Sequence, residues 1–263
     1  MKRVELCNRK GQKIIGLLAK PKRKVKGTAV VQHGWSGQKE QAHIIAMQEV
    51  FLENGWQTFN FDATNSFNES DGDFPDARLG LHYEDMEDVC QWVCRQDWFV
   101  PGLAVSGHSM GGYAAVRYGE DHPEEVQSVA SIAPVVSGNL FTEAIERDQP
   151  GLLAKWETDG VWVLESSSRR DIVKRAPYAV YEELQHHDLL PNAARLTMPV
   201  FLFVGSDDAS CPPDHVRQLF DAIPHRNKVF EILKGAPHTY TTEHDLRCLK
   251  NSLSKWLYTI TNP

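Results

Sequence analysis

The chain has 263 residues, five cysteines and a formal net charge of −7 at pH 7, with 41% hydrophobic and 24% charged residues. This balance is that of a globular protein, long enough for one large α/β domain or one domain with an insertion, and its acidity argues against a general nucleic-acid role. No run approaches the roughly 18 apolar residues of a membrane span, and Met1-Lys-Arg-Val-Glu-Leu-Cys7 lacks the apolar core of a secretory signal.

Arg3–Asn8 and Lys13–Ala19 read as a hairpin around a turn at Arg9–Gln12. The basic run Lys20–Lys26 falls between apolar segments and reads as a solvated loop. Thr28–His33 is a buried strand, followed by a helix from Lys39 to Asn54 and a strand over Gln57–Asp62. Ala63–Gly80 is a polar loop, and Leu81–Asp97 has the spacing of an amphipathic helix. Leu103–Gly107 is a strand, Met110–His122 a helix, and Ser128–Pro134 a further strand. The alternation then stops. From Val136 to Leu196 no strand–helix–strand unit is evident, although Gly160–Leu164 suits a short strand and Ala176–His187 a helix. It resumes with strand Pro199–Gly205, helix Pro213–Ile223, strand Lys228–Leu233 and helix Glu243–Tyr258. The expected fold is α/β, a mostly parallel central sheet flanked by helices. Residues 1–135 and 197–263 form the core, and 136–196 an inserted cap.

The chemistry centres on Gly107-His108-Ser109-Met110-Gly111. This is the Gly-x-Ser-x-Gly pattern of a nucleophile elbow, a strand-to-helix turn so tight that glycines must flank the serine. A serine hydroxyl needs a general base, and the base an orienting acid. On a parallel sheet both must come from loops at the strands' C-terminal ends. Gly205-Ser-Asp-Asp-Ala-Ser-Cys-Pro212 offers two carboxylates after one strand, and Gly235-Ala-Pro-His238 an imidazole after the next. Either aspartate could instead cap the following helix. An oxyanion hole needs two backbone N–H groups; Met110 and Trp35, in His33-Gly-Trp-Ser-Gly37, are placed to supply them. His108 reads as structural and pointing away from the site. His186 and His187 are either exposed or part of an acyl pocket. Cys7, Cys90, Cys94, Cys211 and Cys248 form no C-x-x-C pair and read as core thiols in a reducing cytoplasm. No residues have metal-ligand spacing, and no Gly-rich loop has the dinucleotide pattern.

With these residues in view, the chain resembles the α/β-hydrolase superfamily. The matching segments are His33-Gly34-Trp35, the elbow, Gly205 through Pro212 and Gly235 through His238. It is most similar to small bacterial carboxylesterases of the cinnamoyl/feruloyl esterase type, which carry a compact cap at this place. The family spacing from glycine to acid selects Asp208 over Asp207. One segment departs: where relatives have Asp-x-Arg-Gly-x-Gly-x-Ser, this chain has Asp62-Ala-Thr-Asn-Ser-Phe-Asn-Glu-Ser. The serine at the elbow argues against dehalogenase or dienelactone hydrolase chemistry. The resemblance implies a serine hydrolase cleaving carboxylic esters through an acyl-enzyme. Its catalytic residues are Ser109, His238 and Asp208, its oxyanion donors are Trp35 and Met110, and it needs no cofactor or metal. The expected partner is a small-molecule ester, with an apolar or aromatic group suggested by the aromatic cap. A homodimer is one compatible assembly. Alternatives are an amidase, peptidase or acylglycerol lipase on the same triad, or a non-catalytic binding protein, against which the intact triad argues.

Overall fold

Apolar runs with no polar face are accommodated as strands covered on both sides. The computed structural model, which describes residues 1–165 and 173–261, is built around such runs. Strands β1 (Lys2–Cys7) and β2 (Lys13–Ala19) form the expected antiparallel hairpin. Then come β3 (Gly27–Gln32), α1 (Ala42–Glu53), β4 (Trp56–Phe61), α2 (Leu79–Cys94), β5 (Leu103–His108), α3 (Met110–Asp121) and β6 (Val126–Ile132). The insert holds α4 (Gly138–Asp148), α5 (Leu152–Asp159), a hairpin of β7 (Val161–Glu165) and β8 (Val173–Pro177), and α6 (Ala179–Leu184). The chain closes with β9 (Val200–Gly205), α7 (Pro213–Ala222), β10 (Lys228–Leu233) and α8 (Glu243–Thr261).

The main sheet has eight strands in the order β1-β2-β4-β3-β5-β6-β9-β10. β2 meets β4 antiparallel; from β4 to β10 every neighbouring pair is parallel. Alternate residues of each strand face opposite layers. Val30, Val105 and Leu202 pack with Val89 of α2 and Ala114 of α3. Val31 and Phe201 pack with Phe51 of α1 and Trp256 of α8. After β3 the chain moves out to β4 on one side, then returns to β5 on the other. That reversal opens a crevice at the C-terminal ends of β3 and β5.

Between β6 and β9 the chain adds no strand to the main sheet among the described residues. The insert's ends are tied together: Gly138 N–H donates to His187 O at 2.8 Å, and Leu189 N–H to Val136 O at 3.0 Å. Residues 166–172 of the expected 136–196 cap lie outside the described residues. The helix expected over Ala176–His187 is shorter. Pro177 favours extended backbone before it, so Val173–Pro177 pairs with β7, and helix is confined to Ala179–Leu184. Likewise α1 begins at Ala42 rather than Lys39. Lys39 is held back by Asp62, whose carboxylate accepts from both its N–H and its Nζ. Among the described residues no helix is long and apolar enough to cross a membrane.

Candidate active site

A single residue, Ser109, separates β5 from α3, with φ 58° and ψ −117°. Positive φ at a serine costs about 1–3 kcal/mol and persists only where its surroundings enforce it. They do so here. Ser109 N–H donates to Ile132 O at 3.0 Å, and its carbonyl accepts from Val135 N–H at 3.3 Å. A Cβ on Gly107 would stand 2.1 Å from Gly111 O, and one on Gly34 would stand 2.8 Å from Ser109 Cβ. Only hydrogen fits at either place.

The loops after β9 and β10 bring their polar groups to this serine. Ser109 Oγ lies 3.0 Å from His238 Nε2. His238 Nδ1 lies 2.7 Å from Asp208 Oδ2. Asp208 can only accept, so Nδ1 carries the proton and Nε2 is left to accept from the serine. Asp208 is buried, and its other oxygen accepts from the N–H of Ser210 at 3.0 Å and Cys211 at 2.8 Å. Asp207 is exposed and occupied by Ser206 Oγ. Of the two carboxylates, only Asp208 reaches the imidazole.

His108 does not point away from the site, as the sequence reading expected. It lines the cavity beside Ser109, its ring is 4.8 Å from that of His238, and its Nε2–H donates to His238 O at 2.8 Å. His43 packs against it at 4.3 Å. Burial pushes the pKa of His43 down to about 3 and that of His108 well below the ordinary value. Both are therefore neutral supports. His186 is exposed, and His187 bonds Glu183 and Tyr113; neither lines the cavity.

Lys39 was missed as a supporting residue. It is fully buried, with Nζ 2.7 Å from Asp62 and 2.6 Å from Glu69. Burial opposes its charge, but the two carboxylates override it and raise its pKa. It supplies a buried cation beside the segment after β4.

A cavity of about 470 Å³ opens over Ser109. Trp35 and Met110 line it, and among the described residues neither of their backbone N–H groups donates to a protein acceptor. The insert provides the apolar wall through Phe141, Ile145, Trp162 and Leu164. Trp162 also packs against Trp35, at 6.2 Å. No group of His, Cys, Asp and Glu among the described residues is arranged to hold a metal ion.

The profile of the family described as Serine aminopeptidase, S33 matches residues 23–245. The protein named palmitoyl-protein thioesterase ABHD10, mitochondrial, from Mus musculus is 25% identical over 209 residues, covering 78% of this chain and 66% of its own length. Its Bos taurus counterpart is 25% identical over 207 residues, covering 78% of this chain and 64% of its own. The chain thus spans just under two thirds of the length of these curated relatives. Among solved structures, mouse alpha/beta hydrolase domain-containing protein 10 superimposes with TM-score 0.79 at 21% identity, over 99% of this chain and 100% of that one. Est1E from Butyrivibrio proteoclasticus, with ferulic acid bound, superimposes with TM-score 0.81 at 20% identity, again over 99% and 100%. These superpositions establish the α/β-hydrolase fold. With its profile matched from residue 23 to 245, the chain belongs to the Serine aminopeptidase, S33 family of α/β-hydrolase serine hydrolases.

Proposed function

We propose that this hydrolase cleaves carboxylic esters through an acyl-enzyme on Ser109. The observation that carries the reading is the hydrogen-bonded line from Ser109 Oγ through His238 to Asp208. Ser109 Oγ attacks the ester carbonyl carbon while His238 Nε2 takes its proton. Asp208 keeps the imidazole in the required tautomer and stabilises its cation. The N–H groups of Trp35 and Met110 receive the oxyanion. When the tetrahedral species collapses, His238 protonates the departing alcohol. Water then enters, loses a proton to His238 and releases the acid, restoring the serine.

The wall of Phe141, Ile145, Trp162 and Leu164 supports an apolar or aromatic group on the substrate. Residues 136–196 act in this reading as a cap that sets specificity. The five cysteines are free, which supports a reducing compartment, taken here as the cytoplasm; the curated relatives are named as mitochondrial.

Thioester hydrolysis is a second reading, favoured by the name those relatives carry. It uses the same steps, with a thiolate that needs less help to leave. The test is a fluorophosphonate probe, followed by p-nitrophenyl esters of increasing acyl length, methyl ferulate, matched thioesters and matched anilides. Labelling of the wild type and not of Ser109→Ala, with esters turned over, is the expected result. Equal labelling of both proteins, or turnover of anilides alone, would sink the ester reading.

A further inference from the structure

The β7–β8 hairpin turns one face toward Ser109 and the other toward water. Its register pairs Trp162 with Ala176 and Leu164 with Lys174. In an antiparallel pair, opposed residues and those two positions along share a face. Ala176 is fully buried, and the other three line the cavity over Ser109. The opposite face carries Val163 and Val173, 51% and 60% exposed. A surface hairpin ordinarily has the reverse pattern, with valines inside and lysine outside.

Nothing among the described residues explains the inward lysine. Among the described residues no carboxylate pairs with Lys174 Nζ, and none lines the cavity. Lys39, the other inward lysine, is met by Asp62 and Glu69. Burial lowers the Lys174 pKa with no acid acting against it. A half-buried cation without a partner is unfavourable unless an anion arrives from outside. The cavity around it is otherwise apolar on the insert side, so one ion pair there would fix the ligand's orientation. A single lysine matches a singly charged carboxylate; a doubly charged phosphate would need more cations.

Building on the ester-hydrolase reading, we infer that the cavity takes esters bearing a carboxylate elsewhere on the same molecule, with Lys174 pairing that carboxylate while the ester link lies at Ser109. The inference names both a substrate class, acid-bearing esters, and the residue that selects it.

The test is equilibrium binding to Ser109→Ala protein, read by competition or by the fluorescence of Trp35 and Trp162. One ligand pair is glutarate monomethyl ester against methyl 5-methylhexanoate, which places the acid on the acyl side. The other is 3-acetoxypropanoate against isopentyl acetate, which places it on the alcohol side. Within each pair the shapes match and only the charge differs. At least one anionic ligand should bind about tenfold tighter than its neutral partner, the factor one charge-assisted hydrogen bond supplies. Lys174→Met and Lys174→Gln, each in the Ser109→Ala background, should bring that ratio close to one, while Lys174→Arg keeps it. No preference in either pair, or a preference unchanged in both neutral variants, overturns the inference. The readout does not need turnover. An acid preference without ester hydrolysis by the Ser109 protein would leave this inference standing and remove the esterase reading; hydrolysis without an acid preference would do the reverse.

Discussion

His108 Nε2–H donates to the carbonyl oxygen of His238 at 2.8 Å. The residue before the elbow serine thus holds the main chain of the residue proposed as its base. Burial keeps the His108 imidazole neutral, so the bond positions His238 without adding a charge beside it. His108→Leu removes the donor and leaves a buried carbonyl unpaired. Turnover should fall about tenfold, the effect of losing one positioning hydrogen bond. His108→Gln, which can still donate, should lose less. Steady-state rates of the two variants decide the matter, and equal losses would argue against a positioning role.

Gly34 touches the same serine from the other side. A methyl group there would sit 2.8 Å from Ser109 Cβ and 3.0 Å from His108 O. Gly34→Ala should therefore displace the nucleophile. A shift of about 1 Å costs on the order of a hundredfold in rate. The loss should appear in kcat, with only a modest fall in melting temperature. A variant that keeps full kcat would show that the loop yields freely.

Lys39 and Asp62 are both buried and bonded at 2.7 Å. Lys39→Met strands the Asp62 carboxylate, and breaking one side of a buried pair costs on the order of 3–5 kcal/mol. For a chain of this size that is roughly 10 °C in melting temperature. Adding Asp62→Asn to Lys39→Met removes the stranded charge and should recover part of the loss. Thermal unfolding of the three proteins tests this; a single variant as stable as the wild type would contradict it.

Glu120 makes the pH dependence testable. It is fully buried on α3, and neither carboxylate oxygen has a partner among the described residues. Burial pushes its pKa up to about 8 from the ordinary 4.5, outweighing the pull of Arg117. The folded protein therefore keeps a proton that the unfolded chain releases. This contribution to stability is fully present below about pH 4.5, shrinks as pH rises, and is lost by about pH 8. The change reaches about 3 kcal/mol at pH 7 by linkage. Glu120→Gln should remove that slope. The melting-temperature gap between variant and wild type should move steadily in the variant's favour from pH 5 to pH 8. A gap that stays constant would refute the assignment.

The central sheet and the three candidate catalytic side chains were readable because each is written locally. Chain order alone places a glycine-flanked serine, an acidic loop after Gly205 and a histidine after β10, while the choice of Asp208 over Asp207 came from the family resemblance. Position 39 was not readable. Its helical spacing was overridden by a carboxylate 23 residues away. The insert was harder still. Val173-Lys-Arg-Ala-Pro177 has too many charges to look like a strand, and it becomes one only against β7. His108 was misjudged for a related reason, since its partner His238 lies 130 residues away in sequence.

The two backbone bonds that tie Gly138 to His187 and Leu189 to Val136 close the insert at a neck. Between those bonds the segment packs on α2 and α3, Glu183 accepting from the N–H groups of Leu79 and Gly80 and His187 meeting Tyr113, and among the described residues it adds no strand to the main sheet. Its length can change at little entropic cost, because loop closure depends only weakly on residue number. On the proposed reading of residues 136–196 as a specificity cap, selectivity and reactivity fall on separable pieces of chain. A graft of a foreign segment at that neck could change which molecules are accepted while leaving the serine where β5 and α3 put it.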